Sequence, residues 1–348
     1  MYSVVNLLNY SNNMLYVVIA FLFFAIVLYF LLGGADFGAG IIELFTSSNN
    51  RSRTRRTSYE AIGPIWEANH MWLIIAVVIL FVGFPVIYSD VCTYLHIPLL
   101  ITLMGITARG TAFSFRNYDA IKGERTQFLY NHIFVYSSFI TPLFLGITAG
   151  SVLSRQINPA ANDFLNTYIF DWLNWFSVMV GLFTVALCGF LAAIYLIGEV
   201  EDQFDIKRFT KKAVIMNAAA VGFGGLVFIA AEVEHVHLAY WTFGNPVSLT
   251  AVIAASLSLI LLWYLLKRKY YKFIRILAAF QVTMILVAVG YRHFPNIIMV
   301  KGGHNLSLLT DHAPATTINE LGWALLLGSL LILPALGYLY YSFQKKGE

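Results

Sequence analysis

Apolar residues follow one another in continuous stretches of roughly 20, the length a helix needs to cross about 30 Å of hydrocarbon. Short polar segments separate the stretches. A membrane barrel would instead show shorter segments in which apolar and polar positions alternate. The pattern predicts helices over 14–36, 64–89, 95–115, 129–152, 168–197, 213–234, 247–266, 272–293 and 318–341. The fifth is the longest of these, which implies tilt or protrusion. The expected fold is an all-α integral membrane protein of about nine transmembrane helices in one polytopic domain over 1–348. Two four-helix bundles, with halves at 1–155 and 165–295, plus an extra helix at 318–341 would be one way to pack them.

Composition agrees with a lipid environment. Only 11% of the 348 residues are Asp, Glu, Lys or Arg and 59% are hydrophobic, whereas soluble proteins average about 25% charged. The net charge of 22 − 18 = +4 gives no case for a nucleic-acid partner, which would need a basic stripe along one face. Cys92 and Cys188 cannot build a disulfide scaffold, and no zinc-type spacing exists. The opening residues carry neither Lys nor Arg and no small-residue cleavage site, so the first apolar stretch is expected to be retained as a span.

The basic residues are distributed unevenly between alternate loops. One set holds Arg51, Arg53, Arg55 and Arg56, then Arg116, Lys122 and Arg125, then Lys207, Arg208, Lys211 and Lys212, then Lys267, Arg268, Lys269, Lys272 and Arg275, and finally Lys345 and Lys346. The other set holds Arg155, Arg292 and Lys301. Lys and Arg in short loops stay on the cytoplasmic side, which places the N-terminus outside and the C-terminus in the cytoplasm.

Ionisable groups inside a span cost a few kcal/mol or more, so they face protein or a wet cavity and mark functional candidates. Asp36, Glu67 and Arg109 fall at similar depth, in the third of the bilayer nearest the basic loops, where three helices could bring them together. The structural alternative is a snorkelling Arg109 with Asp36 and Glu67 as caps or pairing partners. Glu67 is the strongest candidate, since His70 lies three residues on, along the same helical face. A carboxyl desolvated beside an imidazole suits a proton relay. Trp66 and Trp72 read as interfacial anchors. Gly34 and Gly38 form a small-xxx-small face for close helix packing.

At the opposite end, Glu232, Glu234, His235 and His237 close the sixth span. They could bind a metal, assist proton exit or meet a quinone headgroup, although a solvated helix end is the commoner role for such a cluster. The loop from Phe294 to Thr317, with His304, Asp311 and His312, reads as a solvated partner-binding loop. Axial haem ligation needs opposed ligands at matched depth. His96, His235 and His293 lie at outer span ends and His70 and His132 at inner ones, which leaves outer-leaflet haem open and favours ordinary interface histidines.

Three ordered motifs carry a resemblance. Gly34, Asp36, Gly38 and Gly40 match a D-G-F-D-x-G-x-G pattern; Pro64, Trp66, Glu67, Asn69 and Trp72 match P-x-W-D/E-x-N-x-x-W; Arg109, Gly110, Ala112, Phe113, Phe115 and Arg116 match R-G-x-A-F-x-F-R. In these the chain resembles subunit II of the cytochrome bd quinol oxidase family. The resemblance implies a bacterial cytoplasmic (inner) membrane protein that partners a haem-bearing subunit I. The partner would carry haem b, haem d and the main site for ubiquinol or menaquinol, and the complex would reduce dioxygen to water. It implies no haem and no metal firmly in this chain, and leaves room for a structural quinone, bound lipid and small accessory subunits. It also implies a cytoplasmic proton-uptake path, here Glu67, Asp36, His70 and Arg109, with Trp66, Asn69, Trp72, Gly34, Gly38, Gly40 and Arg116 as motif and packing residues. Gly33 and Ser114 stand where the family usually has acids. The competing readings are a secondary transporter with intramembrane ionisable residues and a stand-alone dihaem membrane cytochrome b.

Overall fold

The first apolar stretch does not stop at Asp36. In the computed structural model, which describes residues 2–63, 65–118, 123–159 and 161–344, helix α1 (Tyr2–Leu28) passes through one wide turn at Tyr29–Gly33 straight into α2 (Gly34–Leu44). The Gly34 N–H reaches back to the Tyr29 carbonyl across that turn. Such a one-turn π-bulge adds a residue to the turn and rotates the faces of the helix beyond it. Pro64, Lys122, Lys345 and Lys346 lie outside the described residues, as do the side chains of Lys272 and Arg292.

Helices α3 (Ser48–Ile62), α4 (Trp66–Gly83), α5 (Pro85–Tyr94), α6 (His96–Tyr118), α7 (Glu124–Leu153) and α8 (Phe164–Tyr168) come next along the chain. After them lie α9 (Trp175–Ile197), α10 (Gln203–Val233), α11 (Leu238–Phe243), α12 (Pro246–Lys267), α13 (Tyr271–His293) and α14 (Ala315–Gln344), the last preceded by the strand pair β1 (Asn296–Ile298) and β2 (Leu306–Ser307). Among the described residues, nine helical segments are long and apolar enough to cross a membrane.

Local chemistry sets the boundaries and corrects several expected from the sequence. The second span ends at Gly83 rather than 89, because Pro85 lacks an N–H and restarts the chain as the separate helix α5. The Gly83 carbonyl is met instead by the Ala313 N–H at 2.8 Å. The fifth span begins at Trp175, not 168, since the Asn174 side chain accepts from the Ser177 N–H and caps α9. It is therefore 23 residues long, shorter than the first, fourth and sixth at 32, 30 and 31. The segment between the first two spans is helix α3, not a loop. The loop after α13 contains the antiparallel β1–β2 pair.

Helix α9 is the centre of the molecule. Its sequence is apolar all round, with Gly, Ala and Cys among the Leu and Phe, the composition of a helix enclosed by others. Within its span 78% of the apolar window is buried, against 6% in α14. Helices α2, α7, α10 and α13 surround it. Gly38 lies so close to the Cys188 carbonyl and the Ala192 methyl that a Cβ there would collide with both. A second core forms where α1, α4 and α14 meet around Val18, Leu22, Ile79 and Ile318.

Contacts across the helix ends sort the loops into two groups. Arg53 on α3 pairs with Asp202 and Asp205 at the start of α10, and Arg275 on α13 pairs with Glu199 after α9. At the other end Met299 N–H bonds to the Val152 carbonyl and Lys301 N–H to that of Ile157, each at 2.9 Å. The first group is the arginine-rich set.

Candidate functional site

The π-bulge and the glycines after it press α2 into the interior, so that Gly34 through Glu43 are all buried. Asp36, in the first turn of α2, would be an isolated ion there without a partner. Arg109, 1% exposed on α6, supplies one: its Nη2 donates to Asp36 Oδ1 at 2.6 Å and to the Asp36 carbonyl at 3.1 Å. Its Nε donates to Ser138 Oγ at 3.1 Å, and the guanidinium lies 5.2 Å from the Phe37 ring centre and 5.0 Å from that of Phe134. A planar fork that donates in two directions and stacks on rings is what arginine provides and lysine does not. Gly40 makes the room: a Cβ there would strike the Ser138 side chain.

His70 completes the group. Its Nε2 is 3.3 Å from Asp36 Oδ2, and its ring sits among Tyr29, Phe37 and Trp66 at 6.0, 5.5 and 6.1 Å between centres. Of the residues singled out in the sequence, Asp36, His70 and Arg109 therefore meet. Glu67 does not join them. It is exposed on the outer side of α4 and makes no hydrogen bond or ion pair with the described residues. Trp72 is no interfacial anchor either, being buried against the edge of Phe24 at 5.7 Å. Asn69 is buried, and Trp66 packs on Phe113 at 5.2 Å with Gly110 beneath its ring.

Two further tiers of charge lead from this pair toward the arginine-rich end. Glu43, fully buried and seven residues beyond Asp36 on α2, accepts from Arg55 Nε at 2.8 Å and from Arg116 Nη1 at 3.1 Å. Arg116 lies 4.0 Å over the Phe134 ring. Beyond it, Asp205 bridges Arg53 at 2.7 Å and Arg208 at 3.2 Å, while Arg208 also reaches the Thr54 hydroxyl. The Asp202 carboxyl is held below its usual range by the Phe204 N–H and then by Arg53. Sequence reasoning missed Glu43, Ser138 and Asp205. For Glu43 the signal was present, since it repeats the Asp36 face two turns later, past the point where the first span was expected to end.

The two departures from the family pattern have structural counterparts. A Cβ at Gly33 would come within 2.8 Å of the Tyr29 ring, which would have to shift to admit any side chain there. Ser114 is half-buried on α6.

At the opposite end the Glu232, Glu234 and His235 cluster is dispersed. Glu232 and His235 are exposed, whereas Glu234 accepts from the Trp175 N–H at 3.3 Å and from Gln156 at 3.4 Å. Glu234 lines a groove of about 440 Å3 together with Phe170, Leu173, Trp175 and Val178. No group of three or more His, Cys, Asp or Glu suited to a metal occurs among the described residues. Asp171, between α8 and α9, is pushed up to about 7 by burial, against the pull of the Asn158 backbone and Lys301.

Fold and site together define a polytopic helical membrane protein with a buried carboxylate–arginine pair, joined by a half-buried histidine, close to its basic end. The matching family is described as cytochrome bd terminal oxidase subunit II, over residues 14–343, and the chain belongs to it. It is 29% identical over 178 residues to the cytochrome bd ubiquinol oxidase subunit 2 of Bacillus subtilis, covering 51% of this chain and 50% of that protein. It is 26% identical over 190 residues to the cytochrome bd-I ubiquinol oxidase subunit 2 of Escherichia coli K12, covering 52% and 49%. The matches thus span about half the length of these relatives. The bd oxidase structure from Geobacillus thermodenitrificans superposes with a TM-score of 0.75 at 19% identity, over 95% of this chain and 98% of that one, a likeness that establishes the fold.

Proposed function

We propose that the chain is the second subunit of a bacterial respiratory quinol oxidase, bound to a haem-bearing first subunit, and that it brings protons from the cytoplasmic side toward the oxygen-reducing centre. The names of its relatives as ubiquinol oxidase subunits support the activity. The observation that carries the proton role is the buried Asp36–Arg109–His70 group with Glu67 one helical turn away on the exposed rim of α4.

The residues divide the task by chemistry. Asp36, clamped by Arg109, is a fixed charge and a poor carrier, because protonating it would strand a buried guanidinium. His70 faces that fixed charge through Nε2, and its Nδ1 has no hydrogen-bond partner, so its ring can hold a proton on one nitrogen while the other stays oriented. Glu67, three residues before it, passes the proton between His70 and whatever covers the rim. We assign that cover to the first subunit, and place haem b and haem d there. On this chain the His70 ring is surrounded by Tyr29, Phe37 and Trp66. The haems, when bound, supply electron transfer and oxygen chemistry.

Quinol-driven oxygen uptake by the purified complex after Glu67→Gln or Glu67→Leu tests this reading. We expect a loss of about tenfold or more at unchanged haem content and assembly, and a rate equal to the parent's would remove Glu67 from the path.

A further inference from the structure

Among the described residues no hydrogen bond or ion pair joins the innermost tier to the second, although Arg109 and Arg116 share the Phe134 ring. Between the two tiers lies a small, partly open cavity of about 10 Å3 bordered by Asp36, Ser58, Arg109, Arg116 and the rings of Phe113 and Phe134. Three of these side chains leave a polar atom without a hydrogen-bond partner among the described residues: Ser58 Oγ, Arg109 Nη1 and Arg116 Nε. All three residues are deeply buried, at 4%, 1% and 4% exposure. An unmet buried polar group costs about 1–3 kcal/mol; the two guanidinium N–H groups need an acceptor, and the Ser58 hydroxyl, able to donate or accept, needs a partner of either kind.

The charges say what kind. Arg55, Arg109 and Arg116 face Asp36 and Glu43, and 3 − 2 leaves one excess positive charge, which favours an oxygen lone pair toward the guanidinium groups. A cavity of this size holds one water, and a water needs two to four polar partners. It can accept from Arg109 and Arg116 and donate toward Ser58 and the Asp36 carboxylate.

We propose that a single buried water occupies this cavity and joins the α3 hydroxyl of Ser58 to Asp36, closing the gap between the two tiers. Ser58 belongs to the helix that the sequence reads as a polar loop, and α3 carries the arginines of the outer tiers. The water thus gives the buried group a second connection toward the arginine-rich end, separate from Glu67. Its service as a proton link rests on the proposed uptake role of this chain. Its presence does not.

A high-resolution structure of the whole oxidase complex decides the first part. We expect one density peak within hydrogen-bonding distance of Ser58 Oγ, Arg109 Nη1 and Arg116 Nε. No peak, or a peak that becomes a bromide in crystals or grids prepared with bromide, would overturn the water. Ser58→Val, which fills the space with methyl groups, tests the link. We expect the peak to vanish and single-turnover proton uptake to slow at least fivefold at full haem content, whereas loss of the peak with unchanged uptake would reject the link and keep the site. If the variant does not assemble, the parent map still decides. Glu67→Gln leaves this peak in place, so failure of the Glu67 path and failure of the water are separate results.

Discussion

Arg109 cannot be read as a surface cation that happens to sit in a span. It is 1% exposed, spends its Nη2 on both the carboxyl and the carbonyl of Asp36, and has no route to headgroups that would keep those bonds. Removing one member of such a pair leaves an uncompensated ion, at a cost of about 3–5 kcal/mol, whereas replacing both with neutral groups is often close to neutral. Arg109→Leu is therefore expected to destabilise the purified complex strongly, and Asp36→Asn with Arg109→Leu to recover most of the loss in a thermal-unfolding double-mutant cycle. Additive effects would show that the two side chains do not depend on each other. Asp36 and Arg109 were legible in the sequence because an ion in an apolar run has few explanations. Which way Glu67 points was not. His70 and Glu67 lie only about 60° apart around a helix of 3.6 residues per turn, and that angle separates the buried flank of α4 from its exposed rim. Periodicity in a helix apolar on every side gives no reference from which to measure it.

The same limit governs the elements. The nine spans among the described residues were visible because length and apolar composition identify them, yet their ends depend on single residues such as Asn174 and Pro85, whose capping and breaking effects act within one turn. Helix α3 was hidden by its polarity, since Ser48–Ile62 carries four arginines and little apolar periodicity. Ion pairs to α2 and α10 hold it in place. The glycine face was legible as packing, and the structure adds its partner. At Gly38 the obstacle to a side chain is the backbone of α9 itself, which cannot swing aside as a side chain could. Gly38→Ala is expected to abolish accumulation of the assembled complex. Gly222→Ala, on α10 with nothing within 4 Å of its Cβ position in this chain, should be tolerated and gain up to about 1 kcal/mol of helix propensity. Comparing the two by complex yield in membranes checks this, and a tolerated Gly38→Ala would mean that α2 and α9 sit farther apart.

At the scale of the molecule, the tiers of charge give the protein a direction. Glu43 with Arg55 and Arg116, then Asp205 with Arg53 and Arg208, descend from Asp36 toward one end only. The end with β1, β2 and Glu234 carries few basic residues. We propose that the tiered end faces the cytoplasm, as the bias of Lys and Arg predicts, the side from which a proton must come if oxygen reduction is to separate charge across the membrane. The direction can be measured without reference to activity. In a Cys92→Ser background, where Cys188 is buried, a membrane-impermeant maleimide should label His304→Cys in intact cells and Ser52→Cys only after permeabilisation. Both parent positions are exposed and lie at opposite ends of the bundle. The reverse pattern would turn the tiers outward, and the same buried group would then lie on the wrong side to take protons from the cytoplasm, whatever its rate effects.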